Sequence, residues 1–422
     1  MNETTSTPEK QRGRRLAAAI LSLSLLTVMA GAAVAPALDV IRSHFTSASS
    51  LEIQLVISMP AFFIFLTSFI FPKMASAIRA RSLLMIGLCF YVVGGTLAGT
   101  MSSIHLILAA RALVGIGVGI IMPLSTGLLT FYFSRDKQDL LMGYASAMNQ
   151  MGAAVATLIS GFLATFSWRA SFLVYLMGLI SIVLCSLWMP NDLVGRKQEQ
   201  AAEETADERA ASKDTALESE PGRLKEDVIL QDAQKKEQSL FSRFRLYILT
   251  MFLLMVTFFI YPSDFAMETM RDGILDARFI APIMASMDIV AFFGGLAFVH
   301  LKRGLGKNIR FAAPILYVIG YALLAFLRLP AFTLIGSWLV GFANGLGIPF
   351  LIAAASLKAG KEAASTLMSM LSGALYLGQF TTPFLLAAVR TVCGSASHLS
   401  WFTALATALL LLLCSSFIRE KS

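Results

Sequence analysis

The chain has 422 residues, of which 56% are hydrophobic and only 14% are charged. Soluble domains carry about 25% charged residues, so this composition excludes a cytosolic, secreted or fibrous protein and indicates an integral membrane protein. The net charge of +8 does not indicate nucleic-acid binding, because the basic residues lie in short segments between apolar runs.

Twelve apolar stretches are long enough to cross a membrane as helices, which takes about 20 residues each. They are numbered here as spans 1 to 12, in chain order 16–38, 50–72, 82–101, 105–131, 140–165, 168–189, 244–266, 279–301, 309–328, 331–357, 364–389 and 397–418. The sequence therefore predicts an all-α membrane protein with twelve transmembrane helices.

Lysine and arginine are unevenly distributed among the segments between these spans. If the N-terminus lies inside, the inside segments carry 27 of them and the outside segments carry six, and Arg111 lies within span 4. Basic residues are enriched on the cytoplasmic side of membranes. We therefore expect a multi-pass protein of the cell membrane (plasma or cytoplasmic membrane) with both termini in the cytoplasm.

The longest polar segment, residues 191–242, divides the spans into two sets of six. It carries 21 of the 60 charged residues, and too little of it is apolar to form a packed core. We expect it to be a solvated tether. The predicted order is a cytoplasmic tail, a six-helix bundle, a cytoplasmic linker, a second six-helix bundle and a short cytoplasmic tail, at residues 1–15, 16–190, 191–242, 243–418 and 419–422.

The two sets of spans align with each other at a shift of 226 residues. Pro36 of span 1 falls on Pro262 of span 7, and glycines and prolines also match between spans 4 and 10. Matches of glycine and proline at one fixed offset carry more weight than matches of leucine in apolar sequence. A parallel repeat of two six-helix bundles is the plan of transporters whose central site opens alternately to each side.

The most specific motif lies in span 4 and reads Arg111-Ala-Leu-Val-Gly115-Ile-Gly-Val-Gly119. An arginine followed four residues later by a Gly-x-Gly run resembles motif B of the major facilitator superfamily. A second signature that resembles this family is Trp168-Arg-Ala-Ser-Phe172, which opens span 6. The resemblance covers the chain apart from the linker. It implies two parallel-repeat bundles of six helices and secondary transport, with a pattern similar to the twelve-helix drug–proton antiporters.

Two other motifs of the family are altered in this sequence. Between spans 2 and 3, Ser76 stands where the family has an aspartate and Arg79 where it has a glycine. In span 5, Ala156 and Thr157 replace the Gly-Pro pair that is typical of drug–proton antiporters. The resemblance to the superfamily is therefore stronger than the resemblance to this subgroup.

Ionisable residues within the spans are candidates for proton coupling, because a charge in hydrocarbon is costly and normally faces a cavity or a partner. These candidates are Asp288, Asp264, Asp39 and Arg111. Asp288 is preferred, since it lies about nine residues into span 8, or roughly 14 Å, near the middle of the membrane. Span 8 has no basic residue before Lys302. The alternatives are a permanently protonated Asp288 and an ion pair between Asp288 and Arg111.

The other ionisable candidates each have a plainer alternative. Arg111 has the structural alternative of bonding carbonyls where helices cross. Asp264 is placed equally well in a cavity or at the surface, whereas Asp39 and Glu268 lie near enough to the ends of their spans for hydration. Sequence spacing does not decide between these roles.

Neutral polar residues form stripes at helical spacing on the repeat-related spans 5 and 11. Together with two residues of spans 7 and 10 they give the candidates for the substrate cavity, which are Asn149, Tyr261, Asn344, Tyr376 and Gln379. Their alternative role is to join helices. The glycines at matching positions of spans 4 and 10 are predicted to pack helices closely: Gly115, Gly119, Gly341 and Gly345.

The function predicted from these features is secondary transport of a small organic solute by alternating access, as efflux coupled to proton antiport. One alternative is a proton symporter or uniporter for a sugar or organic anion, and another is an uncoupled sensor or lipid scramblase. The four cysteines and four histidines have no metal-binding spacing, and no nucleophile is placed with a base. We therefore expect no enzymatic activity, cofactor, metal or nucleic-acid partner, and a functional monomer.

Overall fold

The computed structural model describes residues 8–133, 135–190, 222–359, 364–394 and 398–418, and these contain helices and no strand. We number the helices α1 to α12 after the predicted spans, with spans 1 and 6 each divided into two parts. In chain order the bounds are α1a Pro8–Ala32, α1b Leu38–His44, α2 Ser50–Ala77, α3 Ala80–Ala98, α4 Ile104–Tyr132, α5 Arg135–Ala164, α6a Trp168–Ser171, α6b Gly178–Trp188, α7 Gly222–Arg271, α8 Ala277–Leu305, α9 Ile309–Phe326, α10 Pro330–Ala359, α11 Ala364–Cys393 and α12 Leu399–Phe417.

The prediction of an all-α membrane fold is confirmed. Ten segments of the described chain are long and apolar enough to cross a membrane, and one of them, Ala277–Phe326, contains both α8 and α9. Helix α11 is 30 residues long but is not among the ten segments, because its serine, threonine, tyrosine and glutamine residues lower its hydropathy. The helices follow one another in the predicted order.

Repeat-related prolines have different effects on the two helices that contain them. Pro36 lies in a short 3₁₀ turn, Ala35–Ala37, where span 1 is interrupted between α1a and α1b. Proline lacks the backbone N–H that a helix interior needs, which accounts for the interruption. Pro262 lies within α7, which continues without interruption. Helix α7 begins at Gly222, inside the predicted linker, and residues 191–221 lie outside the described residues.

The two six-helix sets form two bundles, the N-bundle (α1a to α6b) and the C-bundle (α7 to α12). Equivalent glycines pack equivalent helices in each. A Cβ on Gly115 of α4 would lie 2.5 Å from the Pro60 carbonyl of α2, and a Cβ on Gly341 of α10 would overlap the Met287 carbonyl of α8. Only glycine allows such close approach of two helix backbones.

The bundles meet along two seams, α5 against α8 and α2 against α11. Within each bundle, helices joined by short connections run in opposite directions. Across the first seam α8 runs antiparallel to α5, because Gly161 meets Ala281 and Thr157 meets Asp288. The N-terminal and C-terminal ends of the described chain therefore lie on one face of the molecule. We call it the terminal face, and the opposite one the far face. Helices α5 and α11 begin at the terminal face, whereas α2 and α8 begin at the far face.

Candidate transport pathway between the bundles

A cavity of about 610 Å³ lies between the N-bundle and the C-bundle, lined by parts of α5, α8 and α10. Its polar lining residues are Tyr144, Gln150 and Asn344, and no charged side chain is among its lining residues. The lining parts of all three helices extend from the middle of each toward the terminal face. The space between the bundles is therefore wider on that side.

Asp288 lies just beyond the closed end of this cavity. It precedes the lining residues Ala291 and Gly295 by three and seven positions, so it shares their face of α8. Its side chain is 9% exposed, and Thr157 Oγ1 of α5 donates to Asp288 Oδ2 at 3.4 Å. In the described part of the chain, no lysine, arginine or histidine makes an ion pair with it. Asp288 is thus a buried carboxyl that contacts the opposite bundle.

Small residues close the same seam between Asp288 and the far face. A Cβ on Gly161 of α5 would overlap the Cβ of Ala281 of α8, so the Ala281 side chain packs directly on the α5 backbone there. Nearer the terminal face, α5 and α8 separate to form opposite walls of the cavity. The α5–α8 seam is therefore closed toward the far face and open toward the terminal face.

The second seam, α2 against α11, is aromatic rather than acidic. Phe62 of α2 and Phe380 of α11 are stacked, with ring centroids 4.6 Å apart. One step toward the terminal face, the ring of Phe65 fills the space beside Gly373. Tyr376 Oη donates to Met122 Sδ of α4 at 2.8 Å. This seam holds the bundles together mainly by apolar contact.

A cluster of charged and polar side chains lies near the far face, and we call it the far-face cluster. It comprises Gln54, Asp264, Glu268, Arg271, Asp272, Arg390, His398 and Ser400. Asp264 is 1% exposed and accepts hydrogen bonds from Arg390 Nη2, from Ser400 Oγ and from Gln54 Nε2 of the N-bundle. Unlike Asp288, it has a cationic partner.

The expectation that Glu268 is hydrated is wrong. Its side chain is 3% exposed, because His398 and Ser400, at the start of α12, cover it. Arg271 Nη2 donates to Glu268 Oε2 at 2.6 Å, and the His398 backbone N–H donates to the same oxygen at 3.3 Å. His398 Nε2 also lies 3.2 Å from Asp272 Oδ2. Sequence spacing does not reveal this, since the covering residues are about 130 positions away.

Arg111 bonds the helices of the N-bundle to one another. It is fully buried, its Nε donates to the Val56 carbonyl of α2 at 2.6 Å, and its Nη groups donate to the Ala30 carbonyl of α1a and to Tyr175 Oη. An ion pair with Asp288 is not formed. Of the roles open at the sequence level, the geometry matches the bonding of carbonyls at a helix crossing.

The remaining candidates are spread over several environments. Asn344 lines the cavity and accepts from Tyr317 Oη at 3.3 Å. Asn149 accepts from Thr27 at 2.7 Å within the N-bundle, and Tyr261 is fully buried and donates to Ser337 at 2.7 Å within the C-bundle. Gln379 is nearly buried, beside Gly31 of α1a. Asp39 is partly exposed in the first turn of α1b.

Two polar lining residues of the cavity, Tyr144 and Gln150, were not among the residues predicted from the sequence. The predicted stripe on span 5 followed Asn149 and Thr157, whereas Gln150 is one position further round the helix. Its polarity within an apolar span is the signal that could have found it. Gln54 was also missed, because it is a single polar residue near the end of its span.

Comparison with known proteins decides the family. The family model described as Major Facilitator Superfamily matches residues 20–383. The chain belongs to the major facilitator superfamily. The resemblance seen in span 4 and at the start of span 6 is thereby confirmed for the superfamily, while the drug–proton antiporter subgroup stays a prediction.

Two curated relatives in this superfamily comparison match over part of their length. An uncharacterized transporter of Schizosaccharomyces pombe is 24% identical over 184 residues, 42% of this chain and 38% of that protein. The uncharacterized MFS-type transporter YcnB of Bacillus subtilis is 28% identical over 134 residues, 31% of this chain and 28% of that protein. The chain thus spans less than two fifths of the length of either relative.

Solved structures of transporters share the fold over almost the whole chain. A bacterial homologue of the human lysosomal transporter Spinster, inward-facing and unoccupied, has a TM-score of 0.68 at 14% identity, covering 98% of this chain and 97% of that one. The xylose transporter XylE from E. coli, partially occluded and inward open, has a TM-score of 0.67 at 14% identity, covering 96% and 99%. These likenesses show the fold, and together with the family they make this chain a multi-pass membrane protein of the major facilitator superfamily.

Proposed function

We propose that this superfamily member is a proton-coupled secondary transporter that exports a small organic solute by alternating access. The observation that carries the proposal is Asp288, a buried carboxyl without a cationic partner at the closed end of the cavity. Its charged form is costly in that position. Uptake of a proton removes the cost, so the charge of Asp288 can be linked to whether the bundles are together or apart.

The position of Asp288 supports coupling more than that of the other candidates. Asp264 is neutralised by Arg390, and Asp39 is partly exposed. Arg111 has its donors occupied by carbonyls and by Tyr175. Asp288 alone among these four combines burial with a hydrogen bond to the opposite bundle and no cationic partner in the described chain.

The variant Asp288→Asn tests the coupling role, because it keeps the shape of the side chain and removes its ionisation. A thermal-shift screen of the purified protein against drugs, sugars and carboxylates first selects a substrate. In proteoliposomes, Asp288→Asn is expected to lose accumulation driven by a pH gradient and to keep downhill exchange. The matched control Asp39→Asn is expected to keep both. Uphill transport by Asp288→Asn would rule out this assignment.

The same flux measurements separate the alternative functions. In antiport, acidifying the compartment that lacks the substrate drives the substrate into that compartment. In symport, acidifying the compartment that contains the substrate drives the substrate out of it. Downhill flux without pH dependence would indicate a uniporter, and absence of flux would indicate a sensor or lipid scramblase. The cavity supports a solute of modest size, because its volume is about 610 Å³.

We further propose that the protein lies in the cell membrane with its terminal face in the cytoplasm and acts as a monomer. The distribution of lysine and arginine supports the orientation, and the pathway between the two bundles of one chain supports the monomer. A cysteine at Ser212 should be shielded from an impermeant thiol reagent in intact cells, and one at Ser395 should be labelled. Both positions lie outside the described residues, and the opposite labelling would invert the orientation.

A further inference from the structure

Gln54 is a buried amide that joins the two bundles near the far face. It lies in the second turn of α2, whose start is fixed by a capping box between Ser49 and Glu52. Its side chain is fully buried, and its Nε2 donates to Asp264 Oδ1 of α7 at 3.1 Å. Its Oε1 is also buried and has no hydrogen-bond partner in the described structure. A residue that only packs the seam would avoid this unsatisfied acceptor.

Two groups of the C-bundle orient the Asp264 carboxylate so that it accepts this bond. Arg390 Nη2 of α11 lies 2.5 Å from Asp264 Oδ2, and Ser400 Oγ donates to the same oxygen. These contacts balance the charge of the carboxylate and fix its orientation. Oδ1 is left facing Gln54, so the bond across the seam has a charged acceptor and is stronger than a bond between neutral groups.

The bond is suited to breaking and re-forming. When the bundles separate at the far face, water can reach both polar atoms of Gln54 and the free oxygen of Asp264. Hydration then compensates for the lost bond and also satisfies Gln54 Oε1, which has no partner in the closed state. The closed state is therefore favoured by a limited amount, as a conformational equilibrium requires.

We propose that Gln54 and Asp264 form a far-face link that holds the bundles closed on that side while the cavity is open toward the terminal face. The link rests on the proposed alternating access. It gives the two buried aspartates that contact the N-bundle separate roles. Asp264, paired with Arg390, controls closure of the far face, whereas Asp288 exchanges the proton. It also assigns Gln54 a role in positioning the bundles.

Ser58 provides a reporter for this closure. It lies four residues after Gln54 on the same face of α2, between Gln54 and the stacked Phe62, and it is fully buried. Ser58→Cys is nearly isosteric. In a background whose four native cysteines are replaced, its reaction with an impermeant thiol reagent added on the far side measures how often that side opens.

The test compares the labelling rate of Ser58→Cys with and without the link. Adding Gln54→Leu should increase the rate at least about tenfold, because a hydrogen bond to a charged group is lost from the closed state alone. Gln54→Glu should increase it further at pH 8, since it places a second carboxylate beside Asp264. The matched control Asn149→Leu also removes a buried amide, but one bonded within the N-bundle to Thr27, and should leave the rate within about twofold.

An unchanged or lower labelling rate in both Gln54 variants would overturn the proposed link. If Gln54→Leu is not recovered in the membrane, Gln54→Glu carries the test with the same criterion. Labelling does not require transport, so the link can fail while pH-driven flux persists. Conversely, absence of flux with increased labelling would remove the proposed coupling and leave the link in place.

Discussion

The two bundles share a backbone plan but differ in the groups at their centres. At the shift of 226 residues, Arg111 of the N-bundle corresponds to Ser337 of the C-bundle, and Tyr175 corresponds to Trp401. In the N-bundle a buried guanidinium donates to two carbonyls and to Tyr175. In the C-bundle, Ser337 accepts from Tyr261 and donates to the Thr333 carbonyl, both at 2.7 Å.

Aromatic packing takes the place of the guanidinium in the C-bundle. Tyr261 stacks on Phe265 with ring centroids 4.4 Å apart, and Tyr321 stacks on Trp401 at 6.4 Å. The equivalent region of the N-bundle relies on one cation of α4, Arg111, which bonds to spans 1, 2 and 6. The repeat therefore preserves helix crossings, through matched glycines, while the side chains at those crossings have diverged.

Divergence also places both buried carboxylates of the interface in the C-bundle. The N-bundle contributes the neutral donors Gln54 and Thr157, and the C-bundle contributes the carboxylates Asp264 and Asp288. The repeat partner of Asp288 is Phe62, which stacks in the other seam. The α5–α8 seam is therefore polar next to the cavity, whereas the α2–α11 seam is apolar at Phe62 and polar at its far-face end, where Gln54 meets Asp264.

The largest loss of stability is expected when Arg111 of the N-bundle is replaced by serine, the residue at the equivalent position of the C-bundle. Arg111→Ser leaves the carbonyls of Ala30 and Val56 without their donor and creates a void, so it should lower the free energy of unfolding by about 4 kcal/mol. The matched change Ser337→Ala should lower it by about 1 kcal/mol. Thermal unfolding in detergent measures both. Equal losses would show that the two centres contribute alike.

The shared glycine crossings give the next largest effect, and here the bundles should respond alike. Gly115→Val and Gly341→Val each push a side chain into the carbonyl of a neighbouring helix and should cost about 1 to 3 kcal/mol of stability. The control Gly143→Ala has no atom near its new Cβ and should be neutral or stabilising by up to about 1 kcal/mol. A loss confined to one bundle would contradict the common plan.

A smaller effect is expected when the polar seam loses its donor. Thr157→Val keeps the shape but leaves Asp288 without its hydrogen bond, so pH-driven accumulation should fall by about three- to tenfold while stability changes by less than about 1 kcal/mol. Thr27→Val removes a donor to Asn149 within the N-bundle and should leave accumulation unchanged. Equal losses of accumulation in both variants would contradict a specific role for the hydrogen bond in the α5–α8 seam.

The smallest effect concerns the connection between the bundles. Deleting residues 200–220, which lie outside the described residues, should change the unfolding free energy by less than about 0.5 kcal/mol, because closure entropy depends weakly on length. Flux should also persist. Loss of transport on deletion would show that this segment contributes to the interaction of the bundles and is more than a tether.

The sequence by itself determined the helical membrane fold, the order of the helices and the repeat. These properties are local or periodic, since hydropathy selects the spans and glycine allows close helix crossings. The sequence also selected Asp288, because depth within a span can be counted along one helix. It did not select Gln150 or Gln54, whose polarity is modest and whose surroundings come from other helices.

Only the tertiary structure decided which of the ionisable residues are paired. Asp264 meets Arg390 across 126 positions and Gln54 across 210, and Thr157 meets Asp288 across 131. Such partners depend on how helices pack within a bundle and on how the bundles are placed against each other, which hydropathy does not encode. Burial makes the free energy of each of these pairings large. The residues whose roles stayed open in the sequence are those whose neighbours come from distant helices.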